Sequence, residues 1–171
     1  MECECVSSHS EDLTGSAWQD ALRRRLPLLG HRNWIVIADS AYPAQGAPGI
    51  TTMLVDGNHL DIVRQVLAMI AASGHVKPRI HNDSELKCVS ELDAPGVSAY
   101  RSKLAELPRW TEDQSKPHEE IIDRIDSAAT KFEVLVIKTP LTIPYTSVFL
   151  ELDCAYWNDG AEARLRATMN S

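Results

Sequence analysis

Apolar residues recur along this chain in two rhythms. After Ser16, read as an N-cap, Trp18, Ala21, Leu22 and Leu26 fall on one face of a helix that Pro27 interrupts and Gly30 turns. "WIVIA" at 34–38 is instead a continuous apolar run rich in β-branched residues, the mark of a strand buried on both faces. "SAYPAQGAPG" is punctuated by Pro and Gly and must be loop. "TTMLV" reads as the next strand. "NHLDIVRQVLAMIAASG" then reads as a helix, with Leu60, Val63, Leu67 and Ile70 on its buried face and Gly74 as its stop.

The same alternation continues downstream. "ELKCVSEL" reads as a strand and "VSAYRSKLAEL" as a helix ended by Pro108. Pro117 stands where a first helical turn tolerates it, ahead of "HEEIIDRIDSAATK", and "FEVLVIK" and "SVFLELD" close the pattern as strands. Apolar strands alternating with amphipathic helices predict one α/β domain over residues 16–171, a layered sheet with helices on both faces. The polar residues 1–15 read as a flexible tail.

Composition narrows the functions this domain can have. Its 171 residues are 44% hydrophobic and 24% charged, the balance of a single globular domain with a proper core. Seventeen Lys and Arg against twenty-four Asp and Glu leave a net charge of −7, which argues against nucleic acid or an anionic membrane as partner. No apolar run approaches the roughly 20 residues that cross a bilayer, and the start has neither the basic residues nor the apolar core of a signal peptide. A cytoplasmic location is expected. There the four cysteines stay reduced; Cys88 and Cys154 read as small apolar fillers. Cys3, Cys5 and His9 lack the second ligand pair of a zinc site, so no metal is expected.

Several other polar and aromatic features read as structural. "HNDSE" at 81–85 is taken as a solvated turn, "RRR" at 23–25 as the wet face of the first helix, His59 as a residue near a helix start, and His75 as a solvent-facing residue at a helix end. Trp110 and Trp157 are taken as packing or interface aromatics. Phosphate-binding loops and serine-nucleophile elbows have no counterpart, which removes nucleotide binding and serine hydrolysis.

The chemistry lies in "LLGHRNWIVIADSAYPAQG", which sets His31 and Asp39 at the two ends of the most apolar strand. Asp39 at the carboxyl end is where open α/β sheets commonly bind ligands. The two side chains can meet one small ligand only if the His31 loop folds back or a second copy supplies one of them. Structural roles remain open for both, His31 as a cap of the preceding helix and Asp39 as an acceptor in a turn.

This segment resembles the early signature of the ribose-pyranase and fucose-mutarotase (RbsD/FucU) family, in which Gly-His precedes an apolar strand, an Asp and a Pro-containing loop. Gly30, His31, Asp39 and Pro43 carry the match. "FEVLVIKTPLTIPYTSVFLEL" is similar to the family's closing strand, loop and strand, with Tyr145 at the signature tyrosine, and the likeness extends over about residues 17–155. It implies a three-layer RbsD-like fold with a largely parallel central sheet, and ring-like homo-oligomers with sites near subunit interfaces. The implied activity is interconversion of the anomers or ring forms of a free monosaccharide, such as ribose or fucose, by acid/base catalysis with no cofactor.

The resemblance gives His31 the proton-carrying role, which suits an imidazole of ordinary pKa near 6.5. It has Asp39 hold the histidine or a sugar hydroxyl, and Tyr145 exchange a hydrogen bond with the sugar. Several positions depart from the pattern. Ser147 replaces an Asn, Pro140 and Leu141 replace Gly-Glu, Asn33 replaces an Asp, and Ser40 replaces an Ala. An ungapped alignment puts Asp123 where the family has a basic residue, and a small shift lets Arg124 or His118 restore one. Asp123, Arg124, His118 and Ser147 are therefore the expected substrate-binding residues. A non-catalytic sugar-binding or assembly protein that keeps the fold is the alternative reading.

Overall fold

The computed structural model describes residues 10–13, 17–107 and 115–170. Cys3, Cys5, His9, Ser16, Pro108 and Trp110 lie outside them. In chain order the regular elements are β1 (Ser10–Leu13), α1 (Ala17–Arg25), β2 (Trp34–Ala38), β3 (Ile50–Val55), α2 (His59–Ser73) and β4 (Val76–Asp83). They continue as α3 (Val97–Ala105), β5 (Ser115–Lys116), α4 (His118–Ala129), β6 (Val134–Lys138), β7 (Val148–Cys154) and α5 (Asp159–Met169).

The seven strands make one sheet in the order β1-β3-β6-β2-β7-β4-β5. Only β7 runs against the rest: it is antiparallel to β2 and β4, whereas every other pairing is parallel. As the unbroken apolar run requires, all five residues of β2 are buried. Ile35 and Ile37 point into a core shared with α1, α2 and α3 through Leu22, Val63, Ile70 and Leu104. Trp34 and Val36 point the other way, under Ile121, Ile125 and Ala129 of α4. The result is the expected α/β arrangement of three layers, a largely parallel sheet with helices on both faces. Helix α2 starts and stops where its sequence says: Asn58 caps it by accepting from the Asp61 amide, and Gly74 ends it in the left-handed conformation.

Some expectations fail for identifiable reasons. "ELKCVSEL" is not a strand. Ser84–Cys88 forms a 3-10 turn anchored by buried Leu86, and the strand lies just before it, in "VKPRIHND". Pro78 and the polar end of that segment disguise it; Pro78 is tolerated because β5 pairs only with Asn82 and Asp83, leaving Pro78 on an open edge. "HNDSE" is consequently no solvated turn: His81, Asn82 and Asp83 are all buried, His81 and Asp83 on the face that α4 covers. Ser10–Leu13, expected within a flexible tail, pairs with Thr52–Val55 and covers the edge that β3 would otherwise expose.

Gly30 opens the turn before β2, its carbonyl accepting from the Asn33 amide at 3.1 Å, and Arg32 is the left-handed residue within it. Three smaller readings change. Cys88 is exposed rather than a buried filler. His75 is half-buried, with Nε2 at 2.9 Å from the Leu29 carbonyl. Arg25 leaves the wet face of α1 to reach Glu133 and Thr51.

Candidate functional site

Because six strands run one way and β7 the other, the ends of the six and the start of β7 gather at one edge of the sheet. Asp39 follows β2 there, His59 opens α2, Asp83 ends β4, His118 opens α4, Thr139 follows β6, and Tyr145–Ser147 lead into β7. Val148 pairs with both Ile37 and Asn82, so Ser147 enters the sheet between the ends of β2 and β4.

Asp39 is gripped on both carboxylate oxygens. The Ser147 hydroxyl donates to Oδ2 at 3.1 Å, and the Ala41 amide donates to Oδ1 at 2.9 Å, closing a tight turn. The Ser147 oxygen is also 3.4 Å from the Asp39 amide. Ser147 and Thr146 are buried, yet the preceding Tyr145 stands 40% exposed with φ at 59°, a left-handed conformation that is costly for a bulky residue. Tyr100 fixes this segment from below by donating its hydroxyl to the Thr146 carbonyl at 2.8 Å.

Over Tyr145 stands His118, their rings edge to face with centroids 5.8 Å apart. The Glu85 carboxylate accepts from the His118 amide at 3.0 and 3.2 Å and so anchors the first turn of α4. His118 Nδ1 lies 3.1 Å from Oδ1 of Asp83, which is 1% exposed. The two atoms are within ion-pair distance, and apart from His118 neither Asp83 oxygen has a hydrogen-bond donor among the described residues. Burial pushes the Asp83 carboxyl up to about 6, against the opposing pull of His118.

Beneath lies His59, 3% exposed, its Nδ1 2.9 Å from the Thr139 hydroxyl oxygen. That hydroxyl spends its single proton on the Ala38 carbonyl, so His59 donates through Nδ1. Burial lowers His59 to about 4, outweighing the attraction of Asp39 and keeping the ring neutral at neutral pH.

The expected site residues thus separate into groups. Asp39, Tyr145, Ser147 and His118 gather at this edge. His31 lies at the opposite edge, exposed, with Nδ1 3.1 Å from an Asp153 oxygen; the five residues of β2 alone set the two edges about 16 Å apart at ~3.3 Å per residue. Asp123 and Arg124 lie farther along α4 and line an open cleft of about 650 Å³ with Arg32, Trp34 and Phe132. There Arg124 bonds Glu151 at 2.6 Å and sits 5.3 Å over the Trp34 ring. The sequence pattern alone does not mark Asp83, His59 or Thr139 as functional. For Asp83 a signal does exist, in the polar cluster that follows the apolar Val76 and Ile80. Among the described residues no group of three or more His, Cys, Asp or Glu could hold a metal ion, and no helix is long and apolar enough to cross a membrane.

No protein-family model and no curated protein matches the sequence. Solved structures do match. RbsD of Bacillus subtilis, complexed with D-ribose, aligns over 78% of this chain and 91% of its own at 23% identity, with a TM-score of 0.50. The chain has the RbsD fold. A fucose mutarotase from Streptococcus pneumoniae, in complex with L-fucose, aligns over the same shares at 20% identity and a TM-score of 0.49. At these identities the likeness concerns the RbsD fold, and what the site does rests on its own residues.

Proposed function

We propose that this protein binds a free monosaccharide, ribose or fucose being the first to try, and interconverts its anomers or ring forms by acid/base catalysis. The observation that carries the reading is the His118–Tyr145 contact beside the Asp39–Ser147 pair, an imidazole, a phenol and a carboxylate at the carboxyl edge of the sheet. Ring opening removes a proton from the anomeric hydroxyl, breaks the bond between the anomeric carbon and the ring oxygen, and delivers a proton to that oxygen. Reclosure on either face reverses each step, so proton number is conserved and no cofactor is consumed.

An imidazole suits this work because it donates and accepts near neutral pH. His118 is the one placed for it within a protomer, with Asp39 orienting a sugar hydroxyl and the exposed Tyr145 hydroxyl bonding another. His31 joins the site if a homo-oligomer docks the amino edge of one copy on the carboxyl edge of the next. Ser147 supports the others by holding Asp39 and, being 2% exposed, offers little to a ligand. That last feature favours the second reading, a sugar-binding protein without turnover.

Saturation-transfer NMR on free ribose and fucose tests both. Faster exchange between anomers or ring forms with the protein than with buffer is the expected result. Binding without faster exchange establishes the second reading, and neither binding nor exchange overturns both.

A further inference from the structure

Asp83 is the costliest polar group at this edge. Its carboxylate is 1% exposed, and apart from His118 no described residue donates to either oxygen. Left alone, such a group would neutralise or be replaced. The nearest group of opposite character is His118 Nδ1, itself buried and otherwise unpartnered, at 3.1 Å. We infer that Asp83 is the positioning residue of this site: it holds the proton of neutral His118 on Nδ1 and thereby presents Nε2 as the basic atom to the ligand. The inference rests on the sugar-exchange reading for its functional consequence, and on geometry alone for its structural one.

Charged or titratable groups stand around Asp83 on several elements, Lys116 opposite it in the β4–β5 register among them. His118 comes from α4, Glu85 from the 3-10 turn and Asp39 from beyond β2. Tyr42 and Tyr100 both feel the Asp83 charge, and Lys87 and Arg101 line the 230 Å³ cavity beside it. Only His118 comes within ion-pair distance. The Glu85 carboxylate, through the His118 amide, fixes where the imidazole begins, and the Tyr145 ring bounds it on another side. The imidazole is held at its backbone and against one ring face, so the remaining freedom is which nitrogen carries the proton. A carboxylate 3.1 Å from Nδ1 decides that in favour of Nδ1–H.

Burial supplies the pH dependence, because it holds the Asp83 carboxyl at about 6. Below that value Asp83 takes up a proton and no longer demands one from Nδ1.

Nitrogen-15 NMR of the full chain labelled at histidine reads the tautomer directly. The wild-type His118 signal should show Nδ1 protonated and Nε2 bare at pH 7.5. In Asp83→Asn, which keeps size and removes charge, the signal should move toward the Nε2–H form that isolated imidazole side chains favour. Sugar exchange should fall by roughly ten-fold or more with binding changed less than about two-fold, as expected for an orienting group rather than a ligand contact. The inflection near 6 that the Asp83 carboxyl gives the wild-type pH–rate profile should be absent in the variant. A wild-type His118 protonated on Nε2, or a tautomer unmoved by Asp83→Asn, overturns the inference even if sugars exchange. A tautomer that moves in a protein that exchanges no sugar upholds the positioning role and refutes the catalytic reading.

Discussion

The two ends of β2 are built on opposite principles. At the amino edge charges are plentiful and wet: Asp153 meets His31 at 3.1 Å and Arg79 at 2.9 Å, and both partners are 58% exposed. Such pairs are screened and contribute little to stability. At the carboxyl edge the polar groups are buried and poorly served. Among the described residues His59 Nε2 has no partner and Asp83 has only His118, and Thr146 and Ser147 are buried just before β7. A fold selected for stability alone would fill that edge with apolar side chains, as it fills the middle of β2. Keeping buried, imperfectly satisfied ionisable groups in one place is what a working site looks like.

The hardest test of that contrast is to remove one imidazole from each edge. His118→Ala should reduce sugar exchange by about 10²–10⁴-fold, the usual share of a general acid/base. His31→Ala reports on assembly instead. If copies share sites, it too abolishes exchange, and mixing it with His118→Ala protein under conditions that reshuffle subunits should restore activity at about a quarter of the sites, as random pairing requires. A His31 variant with full activity confines the chemistry to one edge of one protomer.

A second test uses stability against pH. His59 sits at about 4 in the folded chain, below its ordinary value of 6.5. Between those values the unfolded chain binds more protons, so this group makes stability rise with pH and withdraws its contribution as pH falls through 6.5 toward 4, by about 3 kcal/mol in all at ~1.4 kcal/mol per unit. Asp83 is displaced upward, so between its ordinary value of 3.8 and about 6 the folded chain binds more protons and stability falls as pH rises. The two slopes oppose each other in the wild type. Urea unfolding at pH 4 to 6.5 should therefore be steeper with pH in Asp83→Asn than in the wild type, and that variant should be the more stable of the two at pH 7. Asp153→Asn at the amino edge should change the unfolding free energy by less than about 0.5 kcal/mol.

The same contrast explains how far the amino-acid sequence reveals this fold and its site. Apolar strands announce themselves: β2 and β6 lie within the expected runs, and β3 and β7 overrun theirs by one residue each, Ile50 and Cys154. Asp39 is recognisable because it adjoins such a strand, and Tyr145 only through the family resemblance of the loop before β7. β4 is not, because its carboxyl end, His81, Asn82 and Asp83, is polar, and the burial of His81 and Asp83 depends on α4 arriving some thirty-five residues later. Composition cannot report a neighbour supplied from that far away. The ambiguity among His118, Asp123 and Arg124 has a related origin. All three lie within the first two turns of α4, and only the three-dimensional position of Tyr145 selects the histidine that opens the helix.

Backbone strain offers the finest comparison, because each edge carries one non-glycine residue with positive φ, Arg32 at 75° and Tyr145 at 59°. Arg32 lies in the turn before β2, and its guanidinium sits 5.7 Å over the Phe132 ring. Arg32→Gly would relax the backbone, worth about 1 kcal/mol, and forfeit an exposed cation–π contact of roughly 0.5–1 kcal/mol. Thermal unfolding should consequently shift by no more than a few degrees, and exchange should be unaffected in a protomer-confined site. Tyr145→Gly relieves the same kind of strain but deletes the ring that faces His118. Its midpoint should also change little, since Tyr145 is 40% exposed, while exchange falls by more than in Tyr145→Phe, which loses only the hydroxyl. If both glycine variants leave exchange intact, the left-handed tyrosine is only a tight turn. If exchange is lost with Tyr145→Gly alone, the strain at that edge is maintained because it aims the ring at the ligand.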